Sequence, residues 1–593
     1  MSGTKQLQPV SCLLSTAQFG GIEKIVCSDT ATVVHLRLVN TRLRGGRFTE
    51  APVLHTDRGD TLPVRSMQGL RVGEEYSLEA QESRPLCWIF PPLPKGTKAF
   101  DLCGMFQDFG AFGFYGISAG KPYKPLFVRP RLPKDGFMPA AAVRRGEAVV
   151  RLHFLGYRKG MPKNISYVYR TPANGMEEMM YVDSQTDGQG ATEARIPLVV
   201  PTSIQFNLGN GVVGDFWASP GDTTRLEIDM AAYYDRHGRM LGSDTDRTNP
   251  ADKGRERPAF RYGGYLADWQ NYNTVHHLDR YGMAAIEELL GRVAPQAQAD
   301  SLKATGIRLQ RELEKMKLPA GWRRFLQAQT EVAVAMASDL MLPPADSLLP
   351  ALSACLSLND PMAPLFYYYT DVPGQLPPGF FPRFAARHGV GKGSLFDMRR
   401  LIELGTQLYH RKPLRVAQKE ALKQVSPGAA EALLAQNAVL EQRLVANRQK
   451  DGYEIIEFSP EVTDADEILC LILEPLHGKT VVADVWETWC RPCLMAHQSV
   501  KPLKEEMKSR PVAWLYISGP TSPEPIWNDM ICDIPGRHVR LNKQQRQAFS
   551  EKFSIQGVPT FLVFDGEGRE TFRRTGYPGT DSLREEIQRN LNP

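Results

Sequence analysis

Two cysteines separated by two residues form the part of the chain best suited to chemistry. They lie in the sequence Trp-Cys-Arg-Pro-Cys at residues 489–493. The apolar, β-branched run Thr480–Trp486 predicts a strand before them, and the pattern of Cys493–Lys508 predicts a helix after them. Cys490 is therefore expected at a helix start, where unpaired backbone N–H groups and the helix dipole stabilise a thiolate. Because Cys493 lies one turn further on, the pair can form a reversible dithiol/disulfide couple.

A lone Cys-x-x-Cys pair is also compatible with a structural disulfide or with half of a metal site. Its neighbours favour the redox interpretation: Trp489 directly precedes the pair, Asp484 lies in the predicted strand, and Gly-Val-Pro-Thr follows at residues 557–560. For Asp484 the alternative is a partly exposed strand carboxylate. His497, close after the second cysteine, is expected on the exposed surface of its helix.

The cysteine pair stands in a region where predicted strands and helices alternate. This order predicts a mixed sheet with helices on both faces, and we assign residues 455–593 to one redox domain. The predicted strands are Thr480–Trp486, Val512–Ser518, His538–Leu541, Thr560–Phe564 and Arg569–Thr575; the predicted helices are Cys493–Lys508, Lys543–Phe553 and Asp581–Leu591, with a helical or loop piece at Pro525–Ile531.

Taken together, the Trp-Cys-Arg-Pro-Cys segment, Asp484 and the Gly-Val-Pro-Thr segment resemble the thioredoxin superfamily. Three further features make the variant resemble the TlpA/ResA-type thiol–disulfide oxidoreductases of the bacterial cell envelope. They are Gly-Lys-Thr at residues 478–480 opening the strand, Thr488 before Trp489, and Pro-Gly-Arg-His at residues 535–538 before a strand. The run Pro-Pro-Leu-Pro-Lys-Gly-Thr-Lys-Ala-Phe-Asp-Leu at residues 91–102 more loosely resembles β-sandwich extensions of some Gram-negative members. The resemblance implies an enzyme that acts on disulfide-containing exported proteins, draws electrons from an upstream thiol donor and needs no cofactor or metal.

The resemblance also implies roles for the two cysteines and the acid. Cys490 would attack a substrate disulfide, and Cys493 would then attack Cys490 and release the reduced substrate. Asp484 would be buried, with a raised pKa, and would accept the proton of Cys493. Family members often carry a glutamate three residues after the second cysteine, where this chain has Ala496. Asp484 is therefore expected to take a larger share of the proton transfer.

The resemblance further implies a substrate-binding surface. Pro559 matches the position that follows a cis peptide bond in this superfamily. That geometry would place the backbone of Val558 beside the cysteines, where an extended substrate could pair with it. Trp489, Val558 and Pro559 are therefore the expected substrate-binding residues.

Ahead of the redox domain, the patterns predict two β regions and one helical region. Short strands with Gly/Pro turns predict an Ig-like β-sandwich at residues 1–119 and a second small β domain at 137–232. Apolar residues at helical spacing predict an α-helical region at 265–452. Its predicted helices are Met283–Val293, Ala299–Lys317, Trp322–Met341, Ala345–Leu356, Leu395–His410 and Val416–Lys450. The predicted fold class is multidomain α+β, with sandwiches first, helices in the middle and a thioredoxin-like α/β domain last.

Charge and hydropathy limit the binding partners and the cellular locations that fit the sequence. The 593 residues carry a net charge of +5 without a dense Lys/Arg stripe, which argues against nucleic-acid binding. No apolar run reaches the length of a transmembrane helix. The first residues do not form a convincing signal peptide, because their apolar run is short and interrupted. We expect a periplasmic or cell-envelope protein whose export signal has been removed or replaced; a cytoplasmic location is the alternative.

Two classes of function remain open at this point. The first is a disulfide reductase, with isomerase or oxidase activity as variants, because sequence does not give the direction of electron flow. The second is a partner-binding or scaffold protein of the envelope with an accessory redox domain. Among the nine cysteines only Cys490 and Cys493 have motif spacing, while Cys87 and Cys103 are either bridged or two free thiols.

Overall fold

The described residues of the protein form two compact units. The computed structural model describes residues 4–8, 10–39, 45–79, 82–106, 110–134, 136, 143–209, 211–235, 258–276, 278, 298–327, 330 and 394–591. One unit comprises Met1–Ile402 with Ala421–Ala432, and the other comprises Glu403–Glu420 with Leu433–Pro593. Within the described ranges, no helix has the length and apolar character needed to cross a membrane.

The first unit begins with a sandwich of two five-stranded sheets. Alternate residues of Thr32–Val39 are buried, because one face of each sheet covers the shared core. Cys87 and Cys103 lie in different sheets and both are free thiols. One sheet has the order Lys5–Leu7, Gly20–Cys27, Thr32–Val39, Ser83–Phe90, Ser66–Gln68, and the other Leu14–Ser15, Gly110–Ser118, Ala99–Phe106, Phe48–Thr56, Thr61–Pro63; Gly45–Gly46 pairs with Tyr76–Ser77.

A second sandwich follows, built from two four-stranded sheets. Its core takes alternate side chains from both sheets, including Leu152 and Phe206. One sheet has the order Ala191–Leu198, Gly146–Leu155, Thr223–Asp229, Phe260–Gly263, and the other Met180–Gln185, Asn164–Tyr169, Thr202–Leu208, Val212–Ala218; the short helices are Pro172–Asn174 and Met230–Tyr233. The prediction of β-rich N-terminal domains is confirmed.

The central region is helical where the structure describes it. The helices are Ala267–His276, Gln298–Lys315, Ser394–Tyr409, Val416–Ala421, the 3-10 turn Leu422–Gln424, and Pro427–Asn447. The predictions Ala299–Lys317 and Leu395–His410 are confirmed within two residues. The continuous helix Val416–Lys450 is wrong, because Pro427 lacks the N–H that a helix interior requires and instead starts a new helix.

Other predictions for this region lie outside the described residues. They concern Met283–Val293, Ala345–Leu356 and most of Trp322–Met341. The exact domain boundaries given above stay predictions, whereas the overall multidomain α+β class is confirmed.

The second unit contains a six-stranded mixed sheet with helices on both faces. Every residue of its central strand Thr480–Val485 is buried, and the strand is apolar apart from Thr480 and Asp484. The strand order is Tyr453–Ile455, Gly536–Arg540, Val512–Ser518, Thr480–Val485, Thr560–Phe564, Glu570–Thr575, and the helices are Ala465–Leu473, Glu474–Leu476 (3-10), Arg491–Ser499, Lys501–Glu506, Glu524–Ile531, Lys543–Lys552 and Thr580–Leu591.

The two faces of this strand belong to different cores. Val481, Ala483 and Val485 pack with the helices Ala465–Leu473 and Lys543–Lys552. Val482 packs on the opposite side, in a core that includes Ala496 and Leu583 from the helices Arg491–Ser499 and Thr580–Leu591. Since side chains alternate along a strand, Asp484 shares the side of Val482 and lies beneath the helix that follows Cys490.

Candidate active site

The strand-to-helix turn places Cys490 as the N-cap of the helix Arg491–Ser499. Its Sγ accepts the backbone N–H of Cys493 at 3.2 Å, and Pro492 occupies the first turn, where its missing N–H costs nothing. Cys490 and Cys493 form a disulfide, and both are buried. The predicted pair is therefore joined, at the positive end of a helix.

The Val558–Pro559 peptide is cis, as the resemblance implied. Val558 packs against the cluster that contains Cys490 and Cys493, so the loop before the strand Thr560–Phe564 reaches the disulfide. Trp489, in contrast, is 57% exposed beside the buried disulfide. The structure therefore places the predicted substrate-binding residues Trp489, Val558 and Pro559 close to the disulfide between Cys490 and Cys493.

Asp484 is buried at 3% exposure in the strand Thr480–Val485, which precedes the cysteine pair. Burial raises the pKa of this carboxyl, although a hydrogen bond from His497 and the nearby charge of Lys504 act in the opposite direction. The Oδ2 atom of Asp484 lies 3.0 Å from Nε2 of His497. The Oδ1 atom is buried and has no hydrogen-bond partner among the described residues.

The expectation that His497 lies on the helix surface is wrong. Its side chain is buried, and its ring packs edge-on against Trp486 at 4.9 Å and against Tyr516 at 5.3 Å. Its position four residues after Cys493 was the available signal, since residues four apart share one helix face. That face points to Asp484, because the two side chains hydrogen-bond across the helix–strand interface.

A further set of titratable side chains extends from Asp484 toward the protein surface. Lys504 donates a hydrogen bond to the hydroxyl of Tyr516 at 2.9 Å, and burial lowers the pKa of Lys504 to about 8. Burial also raises the pKa of Tyr516. His538 stacks on Tyr516 at 4.9 Å, and burial lowers the pKa of His538 to about 4. The sequence patterns gave no sign of this arrangement, which joins residues of two strands and one helix.

A second buried carboxylate, Glu487, holds the loop that leads to the cysteines. It accepts a hydrogen bond from the hydroxyl of Ser522 at 2.6 Å and another from the backbone N–H of Gly519 at 3.1 Å. Ser522 in turn accepts the backbone N–H of Thr488 at 2.9 Å. Arg546 supplies a positive charge 3.8 Å from the carboxylate. Glu487 therefore fixes the backbone directly before Trp489, and sequence reasoning missed it.

Large apolar side chains surround the disulfide. Trp486, Tyr516, Trp527, Ile531 and Ile534 form one buried cluster with Cys490 and Cys493. Such a shell excludes water from the sulfur atoms and lowers the local dielectric. Two of its members, Trp527 and Ile531, lie on the helix Glu524–Ile531, whose position therefore matters for the site.

That helix is attached to helical segments of the same unit through Asp529. Its carboxylate binds Nε of Arg411 and Nε of Arg443, each at 2.6 Å, and accepts a hydrogen bond from Asn447 at 2.7 Å. The carboxylate is 1% exposed, so these three groups neutralise and satisfy a buried charge. These three partners lie within the region 265–452 that was predicted as a separate helical region, so the cluster was not expected.

Comparison with known proteins agrees with this geometry. A family model described as a thioredoxin-like domain matches residues 473–589. Thioredoxin 1 of Chlorobaculum tepidum is 27% identical over 107 residues, which are 18% of this chain and 80% of that protein. The thioredoxin of Bacillus subtilis is 27% identical over 112 residues, 19% of this chain and 82% of that protein.

Similar solved structures include the thioredoxin domain of a thiol–disulfide oxidoreductase from Bacteroides vulgatus. It is 20% identical, covers 20% of this chain and 84% of its own, and has a TM-score of 0.19. A thiol:disulfide interchange protein of the thioredoxin family from Chlorobium tepidum TLS has the same identity and TM-score, covering 20% of this chain and 85% of its own. The C-terminal part of the chain is thus a thioredoxin-like domain.

Proposed function

We propose that this domain catalyses thiol–disulfide exchange and reduces disulfides in exported proteins of the cell envelope. The observation that carries the proposal is the Cys490–Cys493 disulfide, which lies at the start of a helix whose His497 hydrogen-bonds the buried Asp484. The envelope location, the exported clients and the reducing direction rest on the resemblance of the sequence to TlpA/ResA-type proteins. An upstream dithiol donor is needed to renew the reduced pair.

The reaction starts from the reduced pair. The Cys490 thiolate is favoured by the unpaired N–H groups and dipole of the helix Arg491–Ser499. It attacks one sulfur of the client disulfide, so a Cys490–client disulfide forms and the second client sulfur leaves as a thiolate. Cys493 then attacks Cys490, the Cys490–client bond breaks, and the Cys490–Cys493 disulfide forms. The client gains two electrons, which the two cysteines lose.

The exposed side chains around the pair are suited to hold an extended client. Trp489 is 57% exposed and Met495 is 60% exposed, whereas their neighbours Cys490 and Cys493 are buried. The backbone beside Val558 offers hydrogen-bonding groups to an added strand. A client segment that pairs there would bring its disulfide to Cys490, the N-terminal sulfur of the helix.

Insulin reduction by the full chain tests the proposal. With dithiothreitol as donor, the wild type should accelerate precipitation of the insulin B chain, and Cys490→Ser should abolish the acceleration. Cys493→Ser should form a stable mixed disulfide through Cys490 because the second step is missing. Equal acceleration by wild type and Cys490→Ser would overturn the proposal and favour the alternative, a partner-binding or scaffold protein with an accessory redox domain.

The direction of electron flow needs its own measurement. Redox titration of the full chain in glutathione buffers gives the reduction potential of the pair. A reductase is expected nearer to thioredoxin, at about −270 mV, than to the oxidase DsbA, at about −120 mV. A value at the oxidising end would replace the reductase assignment with an oxidase assignment.

A further inference from the structure

The Asp484–His497 pair has features of a proton-handling site. The two side chains are joined by a 3.0 Å hydrogen bond, and each is more than nine-tenths buried. Each also has a second polar atom, Oδ1 of Asp484 and Nδ1 of His497, that is buried without a hydrogen-bond partner among the described residues. Buried polar atoms almost always form hydrogen bonds in native proteins. Two such atoms in one pair, each without a partner in the described part of the chain, therefore suggest that the pair has a functional role.

The location of the pair connects it to the second cysteine. Cys493 and His497 lie one turn apart on the same helix, and therefore on the same face. Asp484 lies on the strand that packs against that face, and its carboxylate hydrogen-bonds the histidine. Trp486 contacts the histidine ring and belongs to the same buried cluster as both cysteines. The carboxylate, the imidazole and the Cys493 thiol thus share one water-poor region.

We propose that His497 is a positioning residue that holds the Asp484 carboxylate ready to receive the proton of Cys493, and so sets the rate and pH range of client release. This inference rests on the proposed function. In the resolving step the Cys493–H bond breaks and its proton moves to the Asp484 carboxylate. The Cys493 sulfur bonds to Cys490, and the client sulfur leaves with the electron pair of the broken Cys490–client bond. Deprotonation of Asp484 afterwards returns the proton to solvent.

The sign of the effect follows from the groups that face Asp484. Burial raises the pKa of the carboxyl, while the hydrogen bond and charge of His497, followed by the charge of Lys504, lower it. Tyr516, from the neighbouring strand, and His538, stacked on Tyr516, complete the titratable surroundings. Without His497 the pKa of Asp484 should therefore rise further. At neutral pH less carboxylate would be ready to accept the proton, and client release should slow.

The test separates the two chemical steps in the full chain. Reduced protein is mixed with oxidised glutathione, quenched with acid at intervals, and the Cys490 peptide is analysed for the glutathione adduct by mass spectrometry from pH 5 to 9. His497→Leu should resolve the adduct about tenfold to a hundredfold more slowly at pH 7. This is less than the hundredfold to ten-thousandfold contribution typical of a general base, because the variant keeps the Asp484 carboxylate. The midpoint of its rate–pH profile should move to higher pH.

Four further variants control the measurement. His497→Gln keeps an N–H near the position of Nε2, so its midpoint should lie between those of wild type and His497→Leu. Cys493→Ser and Cys493→Ser/His497→Leu report attack by Cys490 alone, and their rates should agree within about twofold, because His497 is assigned to the second step. His477→Leu replaces an exposed histidine of the same domain and should resolve the adduct as the wild type does.

The outcomes distinguish this inference from the proposed function. An unshifted midpoint in His497→Leu, or equal slowing of the first step in the double variant, would assign His497 a purely structural role and overturn the inference. Absence of any Cys490 adduct in Cys493→Ser would instead refute thiol–disulfide exchange itself, and the inference with it.

Discussion

Neutralising Asp529 by the isosteric change Asp529→Asn should loosen the helix Glu524–Ile531. The carboxylate is 1% exposed and binds two guanidinium groups, those of Arg411 and Arg443, which are 21% and 38% exposed. Removing one partner of a buried ion pair costs about 3–5 kcal/mol. Because both arginines reach solvent and can be partly rehydrated, we expect the lower end, about 3 kcal/mol.

The chain offers a matched control four residues further on. Asp533 also binds Arg443, at 2.9 Å, and pairs with Lys450, but its side chain is 48% exposed. Exposed ion pairs contribute about 0.2–1 kcal/mol, so Asp533→Asn should cost less than about 1 kcal/mol. The two variants make the same chemical change next to the same arginine, but the carboxylate that is replaced is buried at Asp529 and half-exposed at Asp533.

Hydrogen exchange followed by mass spectrometry resolves the effect within the full chain. Since about 1.4 kcal/mol corresponds to a factor of ten, Asp529→Asn should speed exchange in peptides of Glu524–Ile531 by about a hundredfold, and Asp533→Asn by less than about fivefold. Peptides of the strand Thr480–Val485 should change least, because that strand is covered on both faces. Equal effects of the two variants would show that burial of Asp529 does not set its contribution.

Three other predictions test separate parts of the redox unit. Asn542 caps the helix Lys543–Lys552 in a capping box with Gln545, so Asn542→Ala should lower the free energy of unfolding by about 1 kcal/mol in urea titrations. Burial lowers the pKa of His538 from 6.5 to about 4. Between these two pH values the folded protein therefore keeps His538 neutral, whereas the same residue binds a proton in the unfolded chain. The associated stability, about 3 kcal/mol, is complete above pH 6.5 and is lost as the pH falls toward 4. His538→Gln should remove this part of the pH dependence, and an unchanged slope would contradict it. Trp489→Ala should slow insulin reduction while leaving reduction of a small aromatic disulfide within about twofold, because we propose that the exposed ring binds the client and takes no part in the attack by sulfur.

Local chemistry accounts for what the sequence predicted well. The strand expected at Thr480–Trp486 is Thr480–Val485, and the helix expected at Cys493–Lys508 starts at Arg491, because the apolar run and the Cys-Arg-Pro-Cys turn specify the strand end and the helix start. The prediction of one continuous helix is wrong, because the first helix ends at Ser499 and Pro502 lies in the first turn of a second helix, Lys501–Glu506. The cis bond before Pro559 and the burial of Asp484 also follow the resemblance. Each of these features depends on residues that are neighbours in the sequence or belong to a shared motif.

Residues whose environment is made by distant segments could not be predicted in this way. His497 is polar and lies on a short helix, so a surface position was the natural expectation. Its burial depends on Asp484 from the strand and Tyr516 from the next strand, which offer a hydrogen bond and a ring contact. Glu487 is similar, because its partners Ser522 and Gly519 follow another strand. A buried charge becomes favourable only when such partners are assembled.

Because of the Asp529 cluster, a fragment that keeps the helix Glu524–Ile531 stable must also contain residues that precede the predicted redox domain. A fragment of residues 455–593 contains every element of the thioredoxin-like sheet except the edge strand Tyr453–Ile455, yet it lacks Arg411, Arg443 and Asn447. Its helix Glu524–Ile531 would still pack Trp527 against the disulfide cluster but would lose its support on the opposite side. A fragment of residues 403–593 contains both segments of the second unit, together with the intervening residues Ala421–Ala432 of the first. Because it keeps all three partners of Asp529, we expect Glu524–Ile531 to exchange in it at the full-chain rate. In the shorter fragment this helix should exchange at least as fast as in Asp529→Asn. If the helix exchanged in the shorter fragment at the same rate as in the full chain, the sheet alone would be sufficient to stabilise it.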